Sequence, residues 1–136
     1  MSKVRLYKSV EFSAAHRMYN REMSEEKNRE LYGSCMMDHG HNYRLVICLE
    51  GEPDPATGMF INMKEVKKVL QERIVHTLDH RHLNDVPGLQ EHVPTLEVLV
   101  IWIWDRLKTC LPAGCLKEVT LYETERTYAS YSGPEL

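Results

Sequence analysis

The sequence has little of what would place it in a membrane, on nucleic acid or among disulfide scaffolds. Its longest apolar run, Val98–Trp104, is closed by Glu97 and Asp105, far short of the ~20 residues that cross a bilayer as a helix. It has no excess of positive charge. The 17 Lys and Arg stand against 20 Asp and Glu, a net −3, which leaves no polybasic footprint for nucleic acid or an acidic lipid surface. No repeat, low-complexity tract or Pro/Gly/Ser linker divides the 136 residues, so one globular domain over 1–136 is expected. A chain of this length buries roughly two-thirds of its unfolded surface and needs no staples. The opening Met1-Ser2-Lys3-Val4-Arg5 lacks an apolar stretch of signal-peptide length, and the expected location is the cytoplasm. There the four cysteines, Cys35, Cys48, Cys110 and Cys115, read as thiols rather than disulfides.

What is present is periodic. Val4, Leu6, Val10, Phe12, Ala14 and His16 share one parity against Arg5, Tyr7, Ser9, Glu11 and Ser13, the pattern of a half-buried strand with Lys8 as its dissonant position. Residues 18–34 are polar, a long loop with room for a short helix near Ser24–Leu31. A second strand sets Tyr43, Leu45, Ile47 and Leu49 against Asn42, Arg44 and Glu50. From Met63 the period becomes helical, with Val66, Val69/Leu70, Ile74 and Leu78. A second helix opens at Pro94-Thr95 and carries Leu96, Leu99, Val100, Ile103 and Leu107, with Trp102 and Trp104 on further faces. Two strands, about 116–123 and 126–132, meet at a Thr124-Glu125 turn. The expected fold is α+β: a four-stranded antiparallel sheet in the order β-β-α-α-β-β, with two helices on one face.

The histidines are not scattered. His39-Gly40-His41 leads into the second strand, where residues two apart share a face, and His16 ends the apolar parity of the first. Paired strands would bring three imidazoles together, the ligand set of a catalytic zinc with one open position; the alternative is two loop histidines and one core histidine. Cys35, four residues before His39, is either a base or nucleophile whose thiol is acidified by a nearby cation, or a fourth ligand that closes the site. In Leu78-Asp79-His80-Arg81-His82 the aspartate can orient a proton-shuttling imidazole, or the histidines simply meet a helix C-terminal dipole. Glu123 shares parity with Val119 and Leu121 and therefore points inward, where a carboxylate needs a partner. That partner is a ligand with a guanidine-like N–C–N edge, a Lys or Arg of the chain, or water at the strand end.

Taken together, Cys35-x-x-x-His39-Gly40-His41-Asn42-Tyr43, Asp54-Pro55-Ala56-Thr57-Gly58-Met59, Leu78-Asp79-His80, Pro94-Thr95-Leu96-Glu97 and Tyr122-Glu123-Thr124 resemble the 6-pyruvoyl/6-carboxytetrahydropterin synthase family over nearly the whole chain. The resemblance implies a tunnelling fold (T-fold), with three subunits closing a barrel and two trimers stacking into a homohexamer. It also implies a lyase acting on 7,8-dihydroneopterin triphosphate, with active sites between subunits. By the same resemblance His16, His39 and His41 hold Zn2+, Cys35 is the base, and Asp79 and His80 are its relay, contributed by a neighbouring subunit. Glu123 anchors the pterin and is counted with the catalytic residues. Thr95 and Glu97 form a second pterin-binding segment, in which Leu96 stands where the family commonly has a hydroxyl residue. The short Cys-x-x-x-His spacing resembles the carboxy branch, whose product is 6-carboxy-5,6,7,8-tetrahydropterin, formed with loss of triphosphate and acetaldehyde on the queuosine route. The long 17–34 loop resembles the pyruvoyl branch, which feeds biopterin. The carboxy reaction is the expectation, with the pyruvoyl reaction or a non-catalytic structural zinc module as alternatives. A zinc hydrolase is disfavoured by the absence of any His-Glu-x-x-His segment.

Overall fold

The computed structural model describes residues 2–135. Two long strands, β1 (Val4–His16) and β2 (His39–Gly51), pair antiparallel in unbroken register from Val4↔Gly51 to His16↔His39. Between them the polar loop folds into α1 (Glu25–Tyr32) and a 3₁₀ turn, Gly33–Met36. Ser24 caps α1 by accepting the Lys27 N–H at 3.0 Å, and the buried Asn28 side chain ties the loop by donating to the carbonyls of Asn20 and Ser24. Loop polarity here is internal hydrogen bonding, not disorder.

After β2, α2 (Met63–Leu70) runs through a π-helical turn, Gln71–Val75, into the short α3 (His76–Leu78). The buried residues Val66, Leu70, Ile74 and Leu78 repeat every fourth position. A four-residue step overshoots a 3.6-residue α-turn by ~40°, so such a stripe drifts around a straight α-helix. The π turn accommodates an extra residue and draws the stripe back over the sheet. Helix α4 (Leu96–Leu107) begins at Thr95, whose hydroxyl accepts the Val98 N–H at 3.2 Å. Its Leu99, Ile103 and Leu107 join the same core as Leu45, Ile47 and Leu49 of β2 and Val119 and Leu121 of β4 (Leu116–Tyr122). Trp104 is held edge-on against Tyr131 of β5 (Tyr128–Tyr131), ring centroids 5.6 Å apart.

The sheet has five strands rather than four. The fifth is β3 (Arg81–His82), two residues long, lying parallel to β1 beside Ala14 and Ala15, so the order is β3-β1-β2-β4-β5. Its cause is local. Where α3 ends, the Asp79 carboxylate accepts the Ser13 N–H at 2.8 Å, and the His80 N–H donates to the Ser13 carbonyl at 2.6 Å. These two bonds lay the chain along the β1 edge. His80 adopts φ 58° to make the turn, a left-handed conformation that is uncommon for a residue with a Cβ.

Candidate metal centre and substrate cleft

The strand register places His16 directly opposite His39 at the end of the β1–β2 pair, with His41 opposite Ala14. The three ring centroids are 4.5, 5.2 and 5.1 Å apart, and one nitrogen from each ring lies within 4.8 Å of the other two. The tautomers of two of the rings are fixed from outside the triad. His16 Nδ1 stands 2.8 Å from the Pro94 carbonyl and His39 Nδ1 2.9 Å from the Met37 carbonyl. A carbonyl only accepts, so each Nδ1 carries the proton and each Nε2 is left with a bare lone pair. Burial lowers the pKa of both His16 and His41, which favours the neutral, ligating form.

The donor chemistry fits a divalent transition metal. Among the described residues, six buried side-chain N or O atoms lack a hydrogen-bond partner, and four of them, His16 Nε2, His41 Nε2, Tyr43 Oη and Glu123 Oε2, belong to this end of the sheet. Buried polar atoms are nearly always paired, so such a cluster is a demand for something the chain does not itself supply. Three imidazoles suit zinc, copper, iron or nickel. Metal–nitrogen bonds of ~2.0–2.1 Å put tetrahedral ligands ~3.4 Å apart, so ring movements of about an ångström close the set.

Glu123 follows the last residue of β4 and faces the same site. Its Oε2 is 3.9 Å from His41 Nε2, too far for a hydrogen bond. No Lys or Arg pairs with it among the described residues. Tyr43 lies one step further along the histidine parity, its ring stacked on Phe12 at 5.0 Å. Burial first, and then the Glu123 charge, push its phenol far above the usual range. Asp79 and His80 line clefts that also contain His41. Asp79 Oδ2 is 2.9 Å from His80 Nδ1, and the carboxyl titrates below its ordinary value, chiefly because it accepts the Ser13 N–H and secondarily because of His80.

The remaining candidates lie apart within one chain. Cys35 sits half-buried on the 3₁₀ turn, with its carbonyl accepting the Met18 N–H at 2.9 Å, and it does not line the His41 clefts. Thr95 uses its hydroxyl as the α4 cap, while Glu97 is exposed on the first turn of that helix. Pro94, the residue before Thr95, is the one whose carbonyl meets His16. Cys48, Cys110 and Cys115 are free thiols. Sequence reasoning passed over Tyr43 as core, although its parity with His39 and His41 could have drawn it in. It also missed the Pro94 carbonyl, 78 residues from His16, which no local pattern announces.

A sheet carrying three convergent imidazoles beside an inward carboxylate defines an α+β protein with a candidate metal centre. Its relatives are specific. A family model described as 6-pyruvoyl tetrahydropterin synthase matches residues 5–134. The 6-pyruvoyl tetrahydrobiopterin synthase of Homo sapiens is 43% identical over 127 residues, 91% of this chain and 88% of that protein. That of Dictyostelium discoideum is 43% identical over 123 residues, 90% of each chain. The solved structure of the Caenorhabditis elegans 6-pyruvoyl tetrahydropterin synthase matches with TM-score 0.93 at 34% identity, covering 98% of both chains. The chain therefore belongs to the 6-pyruvoyl tetrahydropterin synthase family, and it is a lyase.

These relatives overturn the carboxy expectation drawn from the Cys35–His39 spacing: they carry the pyruvoyl name, with no queuosine branch among them. The spacing misled for a physical reason. Cys35 lies in a 3₁₀ turn that gives way to extended Met37 before β2, and a turn of this kind absorbs gained or lost residues without moving the strand that follows. The long 17–34 segment, folded here around α1, was the better indicator.

Proposed function

We propose that this chain is a zinc-dependent 6-pyruvoyltetrahydropterin synthase, eliminating triphosphate from 7,8-dihydroneopterin triphosphate for the biopterin route. The observation that carries the proposal is the group of unpartnered buried atoms, His16 Nε2, His41 Nε2 and Glu123 Oε2, in a chain whose relatives bear that name. The proposal takes residues 1–136 as one synthase domain, working in the cytoplasm as a homohexamer of two barrel-forming trimers with active sites between subunits.

In this reading His16, His39 and His41 hold the metal. Zinc, when bound, supplies a Lewis-acid charge that acidifies the C–H and O–H bonds of a hydroxylated side chain. Cys35, as thiolate, takes the proton from the substrate side chain. Asp79 accepts from His80 Nδ1–H at 2.9 Å, which leaves the other imidazole nitrogen to exchange protons as triphosphate leaves. Glu123 Oε2 accepts from the N–C–N edge of the pterin and so gains the partner it lacks. Thr95 keeps a hydroxyl proton to donate, and Glu97 completes that second pterin-binding segment.

The decisive experiment is turnover of 7,8-dihydroneopterin triphosphate by the zinc-loaded protein, with products weighed by mass spectrometry. Release of triphosphate with all side-chain carbons retained is expected. Acetaldehyde among the products would return the reaction to the carboxy branch, and absence of triphosphate release would remove the enzymatic assignment.

A further inference from the structure

His16 is the last residue of β1 and His39 the first of β2, and together they make the final pair of the ladder. Beyond them the chain leaves the sheet through the 17–38 connection. Two of the three candidate ligands therefore stand where a strand pair opens most easily. Holding the gap between their rings takes contacts from outside the ladder.

The segment that follows the Asp79–His80 turn makes those contacts, and it makes them from behind. Register sets His82 opposite Ala15 and Ala15 opposite Gly40, and side chains directly opposite in a sheet share a face. His82 thus lies on the face away from the three imidazoles. Its Nε2 is 3.0 Å from Asp38 Oδ1, and since a carboxylate accepts, Nε2 is the donor. Asp38 stands between His39 and Met37, whose carbonyl fixes the His39 tautomer. Asn84, two residues on, grips the other strand end. Its Oδ1 accepts the Arg17 N–H and its Nδ2 donates to the Arg17 carbonyl, both at 3.0 Å, the residue gripped being the one after His16. Leu83, between the two clamps, is fully buried in the core, so both are anchored. His82 Nδ1 is buried without a partner, a cost to the fold borne by a side chain whose one bond goes to the neighbour of a candidate ligand.

We infer that Asn84, with His82 as the lesser partner, is a positioning residue for the metal centre: the 82–84 segment clamps the strand ends that carry His16 and His39 and sets the gap that the metal spans. Neither side chain touches the ion. Both act through backbone on either side of the ligands, Arg17 after His16 and Asp38 before His39. A site whose ligands are ordered before the metal arrives loses less freedom on binding, and so binds more tightly. Asn84 holds two bonds in a half-buried setting, whereas Asp38 is exposed, and an exposed charged pair contributes little. Asn84 therefore carries the larger share.

The inference rests on the metal reading proposed above, and the test keeps the two apart. Zinc affinity is measured by competition with a chromophoric chelator, and ligand geometry by the visible spectrum of the cobalt-substituted protein. The proteins are wild type, Asn84→Ala, His82→Ala, His82→Gln and Leu107→Ala. Asn84→Ala should bind zinc about 10- to 100-fold more weakly, the usual cost of losing a group that orients a ligand, and its cobalt spectrum should shift. His82→Ala should lose less, up to about 5-fold, and His82→Gln, whose amide can donate to Asp38, should recover it. Leu107→Ala opens the core at the far end of α4 from Pro94. It should be destabilised yet keep wild-type affinity and spectrum, which separates positioning from general stability. Wild-type affinity and spectrum in Asn84→Ala, or an equal loss in Leu107→Ala, overturns the inference. If Asn84→Ala does not fold, the His82 pair decides: no loss in His82→Ala, or a loss that His82→Gln fails to restore, overturns it as well. Wild type that takes up no zinc refutes the metal reading itself. Wild type that holds zinc beside an unimpaired Asn84→Ala refutes only the clamp.

Discussion

The two ends of the β1–β2 ribbon are made of the same strands in the same register, yet they fail to satisfy themselves in opposite ways. At the His16–His39 end, polar atoms are buried without partners. At the Val4–Gly51 end, apolar side chains are left in water: Leu6 is 37% exposed and Met59, across a small apolar groove from it, 51%. Between them Leu45, Ile47 and Leu49 are fully buried. An orphaned polar atom asks for a small ligand with matching lone pairs or protons. An uncovered apolar edge asks for a surface. The two deficits point to different missing partners, and each can be tested alone.

The sharpest break is at the polar end. His39→Ala or His41→Ala should lose the metal: removing a group that merely orients a ligand costs about 10–100-fold in affinity, so removing the ligand itself should cost more. Elemental analysis showing full occupancy in both variants would end the metal assignment. Cys35→Ala should by contrast keep its metal, because three imidazoles suffice, while turnover falls by ~10²–10⁴, the usual contribution of a positioned base. A metal-depleted, unstable variant would make Cys35 a ligand instead.

The middle and the apolar end separate on stability. Leu45→Ala should cost ~2–5 kcal/mol, since it opens a cavity in a packed core. Leu6→Ser should change the stability of one chain by less than about 0.5 kcal/mol while weakening assembly. Light scattering that shows the same mass for this variant and wild type across dilution would deny the apolar end a partner. Glu123→Gln should weaken binding of a pterin analogue by ~1.5–3 kcal/mol, the range for a charged hydrogen bond, with metal content unchanged. Equal affinity would leave Glu123 as a strand-end carboxylate.

The smallest effect concerns Asp79. Its carboxyl titrates below the ordinary value because it accepts the Ser13 N–H and, next, because of His80. The stability it lends is complete above the unfolded-state value of about 3.9 and is lost as pH falls through the lower folded value. Urea midpoints of wild type and Asp79→Asn should therefore converge on acidification from about pH 5 to about pH 2. A constant gap would mean that the charge of Asp79 does not matter to the turn.

How much of this was legible depended on whether a feature repeats. Side-chain parity placed His16, His39 and His41 on one face and turned Glu123 inward, because a strand repeats every two residues and the thirteen positions of β1 and β2 and the seven of β4 make the period plain. The helix starts near Ser24 and at Pro94-Thr95 were legible as well, and the structure shows both Ser24 and Thr95 to be caps. The fifth strand was invisible, since two residues have no period and β3 exists through bonds from Asp79 and His80 to Ser13. Thr95, proposed as a pterin contact, also caps α4 through its hydroxyl oxygen, a second role that the resemblance did not announce. The reaction branch was misread because a spacing across a turn was given the weight of a spacing within a strand.

The π turn at Gln71–Val75 has one more consequence. An extra residue accommodated there works as a phase setting for everything downstream, since each α-helical residue rotates the chain by about 100°. Deleting one residue from this turn would leave a continuous α-helix with its hydrogen bonds intact. It would also swing the exit by roughly a quarter-turn and draw it back by ~1.5 Å, carrying Asp79 away from Ser13 and β3 away from its edge. The region most tolerant of a point substitution on its exposed face is thus among the least tolerant of a change in length. The position of Asp79 and His80, the proposed proton relay, is held by the residue count of a helix that contributes to neither the histidine triad nor the clefts beside it.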